Sequence, residues 1–589
     1  MKQAVILHIG SPGPRELRLS RILDFFGVPW KSIDVSKPLN TERDLPAYAV
    51  FGSIRTVEAA LSQRQTNDLV LRPTAIYAYA DEERSLCELA LGTLLRETKI
   101  LIEEAPSGEL SVDVSSMPPD LTGPMAGVKF LSRLGSKDFV LIRVPASEES
   151  NFATVISAGG AAIFIRFEHE GVPVHFCASS EMVDIDQPVG PGYYDVKAQF
   201  CSAVPLVMFI HFAFRDVAWR PRELGACMII DDPLLKLQYG FCDFKKLRDL
   251  MVENGFTTNI AFIPWNWRRT SATAGKFFGN DPGHFSISIH GCDHTAGEFG
   301  TTSPEVLHHR AQLARSRMRN HEARTNIRHD SIMVFPQGVF SSVCPEVLKS
   351  NGYLAAVNTE TVPVDLQETR TRIRDVWDVA IMAYGAFPIF TRRYAFHGLE
   401  NFAFDLLLGK PCLIVAHHDV FKDGGKRLLD LIQRIAALNC SLHWRPLGDV
   451  IRRACRTRFR GENTTDVEMY GNELLLGNPS KEALNVSVQK RRSNFEVVSE
   501  IFSDEEPMKW TNDAARLYFC DRIDPGHEKR FRIAYETPGA MAYFRRSLRL
   551  EASVALRRMF CELRDDYLAR NRFLAGTADT LNSLLRKAI

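Results

Sequence analysis

Two patterns of hydrophobic and polar positions divide the chain. In residues 1–215, short apolar runs alternate with stretches whose apolar residues recur at helical spacing. The runs 4–9, 30–35 and 161–167 predict strands, and residues 17–26 predict an amphipathic helix. Strands that alternate with helices predict a mostly parallel α/β sheet in this region.

The pattern changes at about residue 224, where apolar runs end in polar residues or in Pro/Gly turns. Residues 244–254 and 304–321 predict amphipathic helices between these runs. Buried strands whose carboxyl ends lead into polar loops are typical of a parallel (β/α) barrel. The runs that lead into polar loops or turns include 226–230, 285–289, 332–335 and 411–416.

Beyond residue 460 the runs become short and are separated by turn signals such as Gly477-Asn478-Pro479-Ser480, which predicts a small β-sandwich. Residues 541–589 predict an amphipathic helical tail whose apolar stripe packs on the core or on another subunit, with a partner helix as the alternative. Asp565 and Asp566 in this tail predict a solvated helix face. The apolar stripe is formed by Leu548, Ala552, Leu556, Met559 and Leu563. The predicted domains are therefore 1–215, 224–455, 460–538 and 541–589.

Composition and net charge limit the classes of partner that the protein can bind. Apolar residues make up 45% and charged residues 24% of the 589 residues, as in globular domains. The net charge is +1, from 72 basic and 71 acidic residues, so no nucleic-acid partner is expected. No run reaches the 18 apolar residues of a membrane span, and residues 1–8 are expected to form a strand rather than a signal peptide. A homo-oligomer is compatible with these numbers.

The twelve cysteines contain no Cys-x-x-Cys pair, and several lie in apolar strands. This usage is typical of reduced, buried cysteines and predicts a cytoplasmic protein.

The candidate chemistry lies where two apolar runs end. Asp231 and Asp232 follow the run 226–230, and His290 and His294 follow the run 285–289. One carboxylate and two imidazoles suit a divalent metal with open positions, and the second carboxylate is placed to act as a base. Cys292 is expected to point away from the histidines and to pack internally.

These residues, with three later segments in the same order, resemble the polysaccharide deacetylase family, which is the NodB homology domain of carbohydrate esterase family 4. The resemblance covers residues 224–452. Its third motif aligns with Val334-Phe335-Pro336-Gln337, its fourth with 375–378, and its fifth with the run that ends at His417-His418. The resemblance implies a distorted NodB-type (β/α) barrel.

The resemblance also implies roles. Asp231 would be the catalytic base, and Asp232, His290 and His294 would bind the metal, with zinc preferred and Co²⁺, Ni²⁺ or Mn²⁺ as alternatives. His417 or His418 would be the catalytic acid, oriented by Asp378 or Asp375. A backbone N–H near Gln337 would stabilise the oxyanion. The residues expected to contact substrate are Pro336, Gln337 and Trp377. Trp265 belongs to an aromatic cluster after a predicted strand, which would either stack on a sugar ring or form a small core within its loop.

The chain departs from the family at the third motif, where Val334 replaces the arginine that orients the base and Gln337 replaces an aromatic residue. Arg372 or Arg374 is the expected replacement for that arginine. Residues 1–215 are Rossmann-like, or loosely resemble glutamine-amidotransferase-like domains without a nucleophile elbow, so a non-catalytic role is expected.

The sequence therefore predicts a divergent, metal-dependent hydrolase that removes an N-acetyl group from an amino sugar or from a sugar-containing glycan precursor. A cytoplasmic location favours an activated or lipid-linked sugar. Two alternatives stay open. One is an inactive deacetylase-like scaffold or binding protein, and the other is a metal-dependent amidohydrolase acting on a non-sugar amide.

Overall fold

Three sheet systems and a terminal helix organise the chain. The computed structural model describes residues 2–37, 48–62, 73–96, 100–143, 152–366, 370–461, 463–493, 496–536 and 548–568. The N-terminal strands are β1 Gln3–His8, β2 Trp30–Asp34, β3 Tyr48–Ser53, β4 Ala75–Tyr79, β5 Ile100–Glu104, β6 Leu110–Val114, β7 Lys129–Ser132, β8 Phe139–Arg143, β9 Phe152–Ala158, β10 Ala161–His169 and β11 Val172–Cys177. The helices are α1 Pro14–Phe25, α2 Ile54–Ser62, α3 Arg84–Leu95, α4 Pro119–Thr122 and α5 Phe200–Ala213.

The N-terminal sheet is mixed. Strands β2, β1, β3, β4 and β11 pair in parallel in that order, as alternating strands and helices predict. From β11 onward the sheet continues through antiparallel pairs with β10, β9, β6 and β7. The prediction of a mostly parallel sheet is therefore wrong for this second half, because tight turns such as Gly159-Gly160 and Glu170-Gly171 favour hairpins over helical crossovers.

Helix α5 is apolar on every side and is a core helix. The stretch Val196–Ala213, which includes it, is the one helical segment among the described residues that is long and apolar enough to cross a membrane, and 72% of it is buried. It contacts β4 and β11 of the N-terminal sheet and α11 Leu399–Leu407 of the next domain. A helix that is apolar all round is expected where two layers cover it.

The central domain is a parallel barrel. The short strand β12 Arg220–Pro221 precedes it and belongs to a sheet of the next domain. The strands of the central sheet are β13 Leu224–Asp231, β16 Thr258–Phe262, β17 Phe285–His290, β18 Ile332–Val334, β19 Ala355–Asn358, β20 Ile389–Thr391, β21 Arg393–Tyr394, β22 Cys412–Ala416 and β23 Leu442–Trp444, and β14 Gln238–Tyr239 and β15 Cys242–Asp243 form a separate antiparallel pair. Its other helices are α6 Phe244–Asn254, α7 Ala272–Gly279, α8 Pro304–Thr325, α9 Cys344–Ser350, α10 Ile373–Trp377, α12 Lys426–Ala436 and α13 Leu447–Arg453.

Eight parallel strands run in the order β20, β19, β18, β17, β16, β13, β22 and β21. The two ends of this path, β20 and β21, are consecutive in sequence and are joined by Arg392. The barrel is thus nearly closed, and Arg392 lies at its seam. The predicted NodB-type barrel is confirmed, and the carboxyl ends of its strands meet on one face.

A β-sandwich follows the barrel. Its strands are β24 Cys455–Gly461, β25 Thr464–Met469, β26 Glu473–Gly477, β27 Leu484–Arg491, β28 Val498–Ser503, β29 Glu506–Pro507, β30 Thr511–Asn512, β31 Arg516–Ile523 and β32 Glu528–Tyr535. They form a sheet of β12, β24, β25, β27, β31 and β30 and a second sheet of β26, β32, β28 and β29. Residues such as Val467, Phe519 and Phe531 fill the core between them. The predicted sandwich is confirmed.

The tail contains α14 Leu548–Glu562, which continues as a π-helical turn, Leu563–Leu568. Residues 541–547 and 569–589 of the predicted tail lie outside the described residues. The predicted apolar stripe is exposed, whereas Val554, Arg558 and Asp565 are buried. The prediction that the stripe packs on the core is wrong, because the helix turns its charged side toward the barrel.

Candidate metal centre and active site

Asp231 and Asp232 lie at the end of β13, where the backbone turns at Asp232. Asp231 is the last residue of the strand, and Asp232 has φ +79°. A positive φ is costly for a residue other than glycine and is concentrated at functional sites. Adjacent side chains of a regular strand point to opposite faces, whereas after this turn both carboxylates lie near His290.

The two histidines flank a loop whose backbone is hydrogen-bonded to the buried carboxylate of Glu298. His290 ends β17, and His294 has φ +58°. Glu298 accepts hydrogen bonds from the backbone N–H groups of Cys292 at 2.8 Å, Asp293 at 3.1 Å and His294 at 3.1 Å. Gly291, with φ +66°, is required here, because a Cβ would lie 1.9 Å from a Glu298 oxygen. As expected, Cys292 is buried.

Asp232, His290 and His294 come together, with one ligand atom from each lying within 4.8 Å of the others. Asp232 Oδ1 is 3.3 Å from His290 Nε2 and 2.9 Å from His294 Nε2. Within the described part of the chain, it is the one group of three His, Cys, Asp or Glu residues that could hold a metal ion.

The cluster fits a cation. His290 Nδ1 is 2.9 Å from the carbonyl oxygen of Val334, which can only accept a hydrogen bond. Nδ1 therefore carries the proton of the neutral ring, and Nε2 carries a lone pair. That lone pair faces Asp232 Oδ1, a buried oxygen without a well-formed hydrogen bond. Two acceptors that face each other need a positive charge between them. Three such ligands with open positions match a catalytic divalent metal.

The same neighbours explain the charge of Asp232. Burial alone would raise the pKa of this carboxyl group, but His294 and His290 lower it more, and the net pKa lies well below the usual range. Asp232 is therefore ionised at neutral pH, as a metal ligand must be.

Asp231 is held by an arginine that the sequence motifs did not identify. Arg392 donates two hydrogen bonds of 2.7 Å, one to each oxygen of the Asp231 carboxylate. Asp231 is 4% exposed, and burial would raise its pKa, but Arg392 and His290 outweigh that effect and leave the pKa below its usual value. The pair is a two-pronged clamp that fixes the carboxylate plane.

The expected replacements for the missing arginine are therefore wrong. Arg372 donates to the carbonyl oxygen of Asp186, and Arg374 pairs with its carboxylate. Arg392 lies on a strand end that no motif marked, and the one available signal was the Arg392-Arg393 pair after the apolar run 387–390. Only barrel closure brings it to Asp231.

His417 and His418 follow β22 and lie in different surroundings. Strand β22 pairs with β13 so that Ala416 is opposite Ile230, which places His417 level with Asp231. His417 lies close enough to lower the pKa of Asp231, and its Nε2 is 3.4 Å from the Tyr394 hydroxyl. His418 packs against Tyr239 and Phe241 instead.

The predicted substrate residues near the centre are partly accessible. Gln337 is exposed with φ +59°, and Pro336 packs beside Gly291 under the histidine loop. Trp265 is half-buried, and its backbone N–H donates to the carbonyl oxygen of Cys292. The structure thus places these residues around the histidine loop.

Two predicted site residues lie elsewhere. Trp377 is fully buried, with its ring against Phe25 and Phe404, so it cannot contact substrate. Asp378 is also buried and binds Arg456, Arg491 and Tyr470 of the β-sandwich.

The prediction that Asp378 orients the acid histidine is therefore wrong, and Asp375 instead caps α10 through the backbone N–H of Arg372. Trp377 contacts the N-terminal domain and Asp378 contacts the sandwich, so the end of α10 lies at domain interfaces. An Asp/Trp pair has the same sequence signature at an interface and in an active site.

Asp565 and Asp566 are not on a solvated face. Asp565 is 3% exposed and accepts a 2.8 Å hydrogen bond from Tyr239, and Asp566 accepts one of 2.8 Å from the backbone of Gly240. Both belong to the tail, which lies against the loops around Asp232, His290 and His294.

No family model and no curated protein matches the sequence. The structure is similar to Agd3, described as a novel carbohydrate deacetylase, with a TM-score of 0.47 and 7% identity over 90% of this chain and 99% of that one. It is also similar to a family 4 carbohydrate esterase from Streptomyces lividans in complex with acetate (TM-score 0.22, 13% identity, 36% and 85% of the two chains). A third similarity is to the Xyl-CE4 domain of a multidomain xylanase from the hindgut metagenome of Trinervitermes trinervoides (0.24, 9%, 39% and 90%).

The chain resembles a divergent carbohydrate deacetylase. At these TM-scores and identities, the likeness is one of fold alone.

Proposed function

We propose that this protein is a metal-dependent deacetylase that hydrolyses the N-acetyl group of an amino sugar or of a glycan precursor. One observation supports this more than any other. A three-ligand cluster of Asp232, His290 and His294 stands beside a second carboxylate, Asp231, which is held separately by Arg392. Metal-assisted amide hydrolysis needs these two parts side by side.

Asp232, His290 and His294 would hold the ion, with Zn²⁺ preferred for two imidazoles and one carboxylate and Co²⁺, Ni²⁺ or Mn²⁺ as alternatives. When bound, such an ion polarises an amide carbonyl and makes a water molecule easier to deprotonate.

Asp231 would take the proton of the attacking water. The clamp of Arg392 keeps the carboxylate ionised and its plane fixed, so that it accepts a proton in one direction. Because Arg392 contacts Asp231 rather than the reacting atoms, it is a positioning residue.

His417 is the better candidate for the acid that protonates the leaving amine. It is level with Asp231 in the sheet, whereas His418 packs against two aromatic rings. Gln337, exposed at the turn after β18, would lie next to the substrate, where a backbone N–H can stabilise the oxyanion.

We also propose a cytoplasmic location, and therefore an activated or lipid-linked sugar as substrate. The absence of disulfides among all twelve cysteines, which are mostly buried, is compatible with this location.

The test measures bound metal and acetate release on the same preparations. Wild-type protein is assayed on N-acetylated amino sugars and on simple amides, with and without chelator. We expect about one divalent ion per chain and acetate release that the chelator abolishes. Asp231→Asn should keep the ion and lose at least about a hundredfold in kcat, as removal of a general base does. His290→Ala should lose the ion.

His417→Ala and His418→Ala are the matched pair for the acid, and only the first should lower kcat on a poor leaving amine. A wild type that binds no divalent metal would disprove the site. Metal binding without turnover on any acetylated sugar would favour an inactive deacetylase-like scaffold or binding protein. Turnover of simple amides alone would favour a metal-dependent amidohydrolase that acts on a non-sugar amide.

A further inference from the structure

The tail covers the functional face of the barrel. Helix α14 and its π-helical turn contact loops that follow β13, β16, β17 and β22, which are four neighbouring strands of the sheet. Their carboxyl ends carry Asp231, Asp232, His290 and His417. Any substrate that reaches these groups must use the face on which the tail lies.

Carboxylates hold the tail in place. Glu562 pairs with Lys236 and Arg269, and Asp566 accepts from Lys236 Nζ at 3.1 Å. Asp565 Oδ1 lies 3.5 Å from His418 Nε2, in addition to the bond that Asp565 accepts from Tyr239. The cationic and polar groups that surround the centre are therefore occupied by the chain itself.

An arginine of the tail reaches the metal cluster. Arg558, 6% exposed, has Nη2 at 3.4 Å from both Nδ1 and the carbonyl oxygen of His294. On the other side of the same ring, His294 Nε2 is 2.9 Å from Asp232 Oδ1.

This arrangement opposes metal binding. The positive charge of Arg558, which lies against His294, repels a cation at the cluster. Metal binding and docking of the tail are thus linked negatively, and the linkage is reciprocal.

We propose that residues 548–568 are an autoinhibitory strap, which closes the centre when docked and must leave before metal and substrate bind. This inference rests on the proposed function for its effect on turnover, but strap docking and metal affinity can be measured without turnover. The strap is amphipathic, and the side that docks on the barrel is its charged side. On its other side, Leu556 and Met559 are exposed.

The experiment uses the full chain. The triple variant Glu562→Gln, Asp565→Asn, Asp566→Asn removes the charges that hold the strap, and none of these residues belongs to the proposed catalytic set. We expect hydrogen exchange in residues 548–568 to become fast, and kcat/KM for acetate release to rise about tenfold, because the competent fraction limits the apparent rate.

Two controls accompany it. Glu82→Gln, Glu103→Gln, Glu109→Gln makes the same charge change at exposed positions of the N-terminal domain, and Leu556→Ala, Met559→Ala alters the outer face of the strap. Both should keep the exchange and the rate of the wild type.

Zinc alone tests the linkage. Arg558→Met should bind zinc about tenfold more tightly than wild type in a chelator competition. In the wild type, zinc should speed exchange of residues 548–568. Unchanged exchange in the triple variant, unchanged zinc affinity in Arg558→Met, or an undocked strap with lower turnover would each overturn the proposal. Absence of turnover in every protein, with the exchange and zinc results as expected, would instead refute the proposed function and leave the strap intact.

Discussion

At the scale of single residues, Asp231 and the histidine loop each depend on one buried charge. Arg392 clamps Asp231 with two hydrogen bonds, and Glu298 gathers three backbone N–H groups of the histidine loop. Neither residue belongs to a motif of the resemblance. Arg392 acts through Asp231, so its loss should change turnover. Glu298 acts through the histidine loop, so its loss should change metal affinity.

Arg392→Met should lower kcat at least about a hundredfold, since the base loses its orientation and its pKa rises once the guanidinium is gone. Zinc affinity should change little, because Arg392 contacts no ligand of the cluster. Steady-state kinetics and zinc titration check this. Arg372→Met is the control, because that side chain binds the carbonyl oxygen of Asp186. Equal losses in the two variants would contradict the role of Arg392.

Glu298→Gln should weaken zinc binding by about 10–100-fold, the range found for groups that orient metal ligands. The neutral amide cannot accept from the three backbone N–H groups as a carboxylate does. A chelator competition measures the change. Glu253→Gln, exposed on α6 of the same barrel, should bind zinc like the wild type. If Glu298→Gln binds zinc normally, the loop does not depend on that carboxylate.

At the scale of elements, the barrel and the sandwich are joined by a buried ion network. Asp378, which follows α10, lies 2.9 Å from Arg491 and 3.4 Å from Arg456. Burial would raise the pKa of Asp378, but Arg456 and Arg491 outweigh it and lower the pKa below the usual value. Its role is therefore structural, which explains why the sequence motif misled.

Asp378→Asn should cost about 3–5 kcal/mol in the free energy of unfolding, because the buried guanidinium of Arg456 loses its charged partner and Arg491 loses one of two. Since the folded pKa is lowered, the contribution of Asp378 is fully present above the unfolded pKa of about 4 and is lost as pH falls through the folded value. The difference between wild type and variant should thus shrink below about pH 4.

Urea unfolding between pH 7 and pH 3 measures this difference. Asp430→Asn, exposed on α12, is the control and should leave stability within about 0.5 kcal/mol. A difference between Asp378→Asn and wild type that stays constant down to pH 3 would contradict the pKa argument.

At the scale of the whole molecule, the functional centre is assembled from elements that are far apart in sequence. Asp231 on β13, His290 on β17, Arg392 at the seam and His417 after β22 meet at one face, and α14 returns from the C-terminal region to cover it. A ligand of this centre should therefore stabilise the barrel as a unit.

Zinc at one hundred times its dissociation constant should raise the free energy of unfolding of the barrel by about 2.7 kcal/mol. Calorimetry with and without zinc measures the shift in Tm. A chelator should reverse it, and His290→Ala should show none. A shift of equal size in His290→Ala would place zinc at some other site.

The local sequence determined much of the fold. The helix expected at 244–254 is α6, and the one at 304–321 is α8, which extends to Thr325. Apolar runs identified the barrel strands, because burial on both faces of a parallel strand leaves a continuous apolar stretch. The hairpins of the N-terminal sheet were missed, because strand direction depends on pairing rather than on composition.

The sequence by itself also predicted that Asp232, His290 and His294 come together, since they lie at strand ends whose carboxyl termini converge in a parallel barrel. Only the tertiary structure decided which arginine holds Asp231, where Asp378 lies and which side of the tail faces inward. Each of these depends on contacts between residues more than 90 positions apart. A charged side chain has the same local pattern in solvent and in a buried ion pair, so only the folded chain distinguishes the two.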